Sequence, residues 1–164
     1  MLKLLKSFEV SLPVYQMESR CALPEVGHPN FKIEEGTMEV GIGHHGEPGI
    51  EIAALESAEK VAKRMCDVIL PDLPIVEGDE VAVILSGLGA TPALELYILY
   101  NDVEKILTEK GIKIFKAYVG NYFTSLEMAG ATLTLTKLDA ELKECIAYEA
   151  DTVGLRQFEI VTAP

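Results

Sequence analysis

The sequence predicts one α/β (α+β) domain, a mixed β-sheet with helices packed mainly on one face. Three observations carry that expectation. Stretches of two-residue alternation interleave with stretches whose apolar residues recur every three or four positions. Glu80 to Leu85 holds the unbroken apolar run Val81-Ala82-Val83-Ile84-Leu85, as a strand buried on both faces does. Pro- and Gly-rich turns separate the segments, with no internal repeat and no linker to divide the 164 residues into two bodies.

Taken in order, residues 1–30 are punctuated by Pro13, Pro24 and Pro29, and Glu9 to Tyr15 is expected as a strand before a loop. Thr37 to His44 reads as a strand with Met38, Val40, Ile42 and His44 on one face and Glu39, Gly41 and Gly43 on the other. Two glycines in alternation suggest close approach by a backbone or a ligand. His45-Gly46-Glu47-Pro48-Gly49 is a turn. A helix is expected from Ala53 to Leu70, with Pro71 and Pro74 ending it. After the Glu80–Leu85 strand and the Ser86–Ala90 turn, Thr91 as N-cap and Pro92 at the first helical position open a helix that Gly111 closes. Ile112 to Val119 and Thr132 to Leu138 alternate as strands, with a short helical turn expected at Ser125 to Ala129. Asp139 caps a helix over Ala140 to Tyr148, and Phe158 to Val161 is expected as an edge strand.

Charge narrows the function. Twenty-six acidic residues against 14 Lys and Arg give a net charge of -12, which repels phosphate backbones and anionic lipid. A general nucleic-acid binder or a membrane-surface protein is thereby disfavoured. Cys21, Cys66 and Cys145 are odd in number and form no CxxC pair, so they read as reduced thiols. No stretch approaches the roughly 18–20 apolar residues that span a bilayer, and the N-terminal apolar run stops at Ser7-Phe8-Glu9, so a cytoplasmic protein is expected.

Several features compete for a chemical role. Gly87-Leu88-Gly89 between a strand and a helix fits either phosphate contact or a tight turn, but this turn is not a GxGxxG and GxxxxGK[ST] occurs nowhere in the sequence. Tyr97, Tyr100, Tyr118 and Tyr122 lack interleaved basic residues and read as packing. Glu95, Glu104, Glu127 and Asp139 are scattered over separate elements. The run Gly41-Ile42-Gly43-His44-His45-Gly46-Glu47-Pro48-Gly49 stands apart, because two histidines lie at a strand end among glycines. As strand neighbours they point to opposite faces and suit one metal poorly, whereas a single exposed imidazole can act as nucleophile or general base. Glu47 either fixes an imidazole tautomer or caps the next helix.

Three blocks in order resemble the dihydroxyacetone kinase family, specifically the C-terminal half of its DhaK (Dak1-type) substrate-binding subunit. They are Met38 to Gly49, then Gly87 to Pro92 with Glu95-Leu96-Tyr97, then Val119 to Gly130 followed by Thr134 to Asp139. The resemblance covers roughly residues 21–155, leaving residues 1–20 as an atypical lead-in to a domain over 21–164. It implies that His45 is the catalytic and substrate-binding residue, its imidazole adding to the ketone of dihydroxyacetone or a related short-chain ketose to give a hemiaminal. Glycerol has no carbonyl and could not be anchored in this way.

This chain departs from the family pattern in carrying His44 where isoleucine is usual and Ser86 where asparagine is usual. The GGGSGHEP and NYTGD segments of the family's N-terminal half do not occur here. The resemblance therefore implies a kinase subunit or fragment that is incomplete alone, or a non-catalytic regulatory relative. No cofactor or metal is expected on this chain; the phosphoryl donor, ATP or an ADP-loaded partner subunit with Mg, belongs on another domain or chain. The implied partners are a DhaL-type subunit or the missing N-terminal half, and a second copy in a homodimer.

Overall fold

The computed structural model describes residues 33–42, 48–125 and 128–158, together with the backbone of 5–11. Six strands form one sheet: β1 (Leu5–Ser11), β2 (Thr37–Val40), β3 (Glu51–Ala54), β4 (Glu80–Gly87), β5 (Lys113–Gly120) and β6 (Gly130–Lys137). Their spatial order is β3-β2-β1-β6-β4-β5. Only β4 and β5 pair in parallel, joined by the crossover helix α2 (Ala93–Glu109); all other pairs are antiparallel. The sheet is therefore mixed.

Helices α1 (Ala58–Ile69) and α2 cover one face. Val61, Ala62, Met65, Cys66 and Ile69 of α1 and Leu96, Leu99, Val103 and Leu107 of α2 meet Met38 and Val40, Val81, Val83 and Leu85, and Leu133 and Leu135 in a single core. Spacings of three and four on each helix put those side chains on one stripe. Helix α3 (Ala140–Ala147) follows β6, and the Asp139 carboxylate accepts from the Leu142 N–H at 2.8 Å as its N-cap. A small ribbon of β7 (Ala150–Asp151) and β8 (Arg156–Gln157) completes the described chain. None of its helices is long and apolar enough to cross a membrane.

Several expected boundaries shift. The first strand begins at Leu5 rather than Glu9 and runs to Ser11, and residues 12–15 of the expected strand lie outside the described residues. The strand expected to reach His44 stops at Val40, because Gly41 takes φ +75° and turns the chain out of the extended region. Residues 53 and 54 belong to a strand, not to a helix: β3 pairs with β2, and α1 begins at Ala58 behind Ser57. Pro92, not Thr91, occupies the N-cap position of α2. Residues 125, 128 and 129 are irregular rather than helical, and 126 and 127 lie outside the described residues. Of the expected Phe158–Val161 strand, 159–161 likewise lie outside, and Phe158 is not in a strand.

Candidate functional site

Residues 41–50 connect β2 to β3, and this connection carries the histidine-glycine run. His44 and His45, with Gly43, Gly46 and Glu47, lie outside the described residues; what is described is how both ends of the connection are held. Met38 and Val40 are buried in the core, so alternation puts Glu39 on the opposite face of β2. There its Oε1 accepts a hydrogen bond from the Gly49 N–H at 2.9 Å, and Ile50 N–H donates to Val40 O at 2.8 Å. A Cβ on Gly49 would stand 2.7 Å from both Glu39 Cγ and Val40 O, so only glycine fits.

Beyond Gly49 the chain enters β3, an edge strand whose Ile52 is 74 % exposed. Arg64 on α1 ties this edge down. Its guanidinium donates to Glu51 Oε2 at 2.9 Å and forks onto the Glu56 carboxylate at 3.1 and 2.9 Å. The Arg64 hydrogen bond holds the Glu56 carboxyl below its usual range.

The second block resolves in favour of the tight turn. A Cβ on Gly87 would meet Asn121 Oδ1 at 2.3 Å, and one on Gly89 would meet Ser125 O at 2.4 Å. The segment after β5 thus packs directly against both glycines. Ser86 supports that packing: its Oγ accepts from the Tyr122 and Phe123 N–H groups, each at 2.9 Å, and donates to Gly87 O.

A groove of about 550 Å³ opens beside this turn, between the N-terminal ends of α1 and α2. Leu55, Val61, Pro92, Leu96 and Ile98 line it, with Glu56 and Glu95 as its carboxylates. The tyrosines form no common platform. Tyr97 and Tyr100 lie on α2, whereas Tyr118 and Tyr122 meet edge-on at 6.3 Å and Tyr118 donates to Gln157 Oε1 at 2.7 Å. Glu104 is exposed, Asp139 caps α3, and Glu127 lies outside the described residues. Among the described residues no three His, Cys, Asp or Glu side chains are grouped to hold a metal. Sequence reasoning missed Arg64 and the Glu39–Gly49 bond; a Pro-Gly pair ten residues after a strand glutamate was the available signal.

The family model of the Dak1 domain matches residues 13–154 of this chain, the mixed sheet and the glycine-rich histidine connection included. The chain belongs to that family. Among its relatives is the dihydroxyacetone-binding subunit DhaK of PTS-dependent dihydroxyacetone kinase 2 from Listeria innocua. It is 42% identical over 134 residues, which are 82% of this chain and 40% of the relative. A D-erythrulose kinase of Mycolicibacterium smegmatis is 41% identical over 84% of this chain and 24% of its own length. The chain thus spans less than half the length of these relatives. Among solved structures, the dihydroxyacetone kinase operon co-activator Dha-DhaQ superposes with a TM-score of 0.73 at 27% identity, over 88% of this chain and 44% of that one. The dihydroxyacetone kinase of C. freundii shares the fold, with a TM-score of 0.67 at 24% identity over 99% and 29%.

Proposed function

We propose that the chain is a component of a short-chain ketose kinase, and that it holds dihydroxyacetone or a close relative as a covalent hemiaminal on His45. The observation that supports this reading is a histidine-glycine connection, with both ends hydrogen-bonded, in a chain similar to dihydroxyacetone-binding subunits. In the step proposed, an unprotonated imidazole nitrogen attacks the carbonyl carbon. The C–N bond forms, the C=O π bond opens onto oxygen, and the proton on the other imidazole nitrogen is transferred, through solvent, to that oxygen. No group leaves, so the step is reversible and needs neither oxidant nor metal. A polyol has no carbonyl carbon to attack and is refused on chemical rather than steric grounds. Phosphoryl transfer needs a metal-bound donor, which we assign to another chain or domain, so the chain alone is inactive.

Carbon-13 NMR of the full chain with dihydroxyacetone labelled at the carbonyl tests the anchor. The expected result is a new tetrahedral carbon coupled to labelled histidine nitrogen and absent from His45→Ala. A signal that survives in His45→Ala, or none in the wild-type chain, overturns it. One observation supports a second reading, a ketose-binding regulator: the co-activator superposes with a TM-score of 0.73 at 27% identity. Turnover in a coupled assay with a DhaL-type subunit and a DhaK N-terminal half added supports the kinase component; adduct without turnover supports the regulator.

A further inference from the structure

We infer that Glu39 is a positioning residue for the histidine connection, acting as a clamp that joins its two ends through the Gly49 N–H. The inference rests on the reading of His45 given above and names what holds that residue's segment. Glu39 is six residues before His45 and Gly49 four residues after it. A glutamate on the outer face of a short strand ordinarily extends into water. Here its Oε1 accepts from Gly49 N–H at 2.9 Å, and its Cγ lies against Gly49 so closely that a Cβ there would stand 2.7 Å away. The side chain and the glycine are thus fitted to each other across the mouth of the connection.

The surroundings give this single bond leverage. Upstream, Gly41 has already left the strand at φ +75°, so regular β2–β3 pairing no longer fixes the chain there. Downstream, β3 lies at the edge of the sheet, with β2 its one neighbour among the described strands. Its first residue, Glu51, is tied sideways to Arg64 beyond Gly49, and the Ile50 N–H to Val40 O bond closes the last backbone pair. Glu39 to Gly49 is the next bond inward, one residue nearer the histidines. Covalent anchoring requires the imidazole and the carbonyl carbon to be held in register, and slack at the mouth of the connection would dissipate that order. What Glu39 supplies is an acceptor oxygen at a set reach. A glutamine can supply the same atom, whereas alanine cannot.

The test uses the full chain and the variants Glu39→Ala and Glu39→Gln. It reads hydrogen exchange of the Gly49 amide, adduct formation with labelled dihydroxyacetone, and thermal stability. Glu39→Ala is expected to speed Gly49 exchange and weaken adduct formation, each by about threefold to tenfold, the range one lost hydrogen bond allows. Glu39→Gln should restore both, and the melting temperatures of all three should agree closely. Unchanged Gly49 exchange in Glu39→Ala, or equal loss in Glu39→Gln, overturns the clamp. If the wild-type chain forms no adduct, the His45 reading fails. The exchange measurement then still decides whether the clamp exists, and its role in positioning a ketose anchor falls with that reading.

Discussion

Thr91 and Gly130, 39 positions apart, bond to each other twice: the Thr91 hydroxyl donates to Gly130 O at 2.7 Å and accepts from Gly130 N–H at 2.8 Å. Both bonds are buried, and they join the start of α2 to the start of β6. Gly130 O also accepts from Leu88 N–H at 3.1 Å, so removing the hydroxyl strands chiefly the Gly130 donor. Thr91→Val is therefore expected to cost about 1–3 kcal/mol, the penalty for one unsatisfied buried group. Thr91→Ser should recover most of it. Urea unfolding with an unchanged slope checks both.

Two glycine substitutions separate backbone strain from lack of room. Gly36 (φ +76°) has open space where a Cβ would go, whereas Gly89 (φ +129°) faces Ser125 O at 2.4 Å. Gly36→Ala should cost about 1 kcal/mol from the left-handed conformation alone. Gly89→Ala adds a backbone clash and should cost roughly 2–4 kcal/mol. Equal costs in chemical denaturation would mean that the turn after β4 relaxes freely.

Asp79 sets an acid limb. Its carboxylate is held below the usual range by the Lys137 ammonium at 2.6 Å and by the Val76 N–H at 2.7 Å. A depressed native value contributes stability that is fully present above the unfolded value, about 4, and is lost as pH falls through the native one. Asp79→Asn should thus flatten the decline of stability below about pH 4 relative to the parent, while stability at pH 7 falls. Denaturant midpoints between pH 2 and 7 measure the difference.

The thiols should react in a fixed order. Cys66 is fully buried in α1, and burial pushes its thiol up to about 12, whereas Cys145 is exposed. The thiolate is the nucleophile, so alkylation at pH 8 followed by peptide mapping should find Cys145 labelled in the native chain. Cys66 should be labelled only on denaturation. Early labelling of Cys66 would show that α1 opens locally.

Elements whose cause is local were legible in the sequence. Val81–Leu85 announces a strand buried on both faces, Asp139 announces a cap, and α2 ends where Gly111 follows. Features whose cause is distant were not. Glu51-Ile52-Ala53-Ala54 fits helical spacing as well as a strand, and pairing with Thr37–Val40 decides it. Thr91 looks like a cap but spends its hydroxyl on Gly130, a partner supplied only by tertiary structure. At the candidate site, the histidine-glycine run could be read as a motif, yet the bond between Glu39 and Gly49 depends on a hairpin that alternation alone cannot close.

The strand Leu5–Ser11 has a practical consequence for anyone who trims the chain to the family-matched stretch beginning at residue 13. It is bonded to β2 on one side and to β6 along its whole length on the other. Without it the sheet falls into a two-strand ribbon and a three-strand ribbon, each ending in a raw row of N–H and C=O groups ready to capture another chain. A shortened chain starting at residue 13 should elute as polydisperse aggregate on size exclusion, where the full chain gives a discrete species. A stretch outside the family match would then govern whether the rest stays in solution.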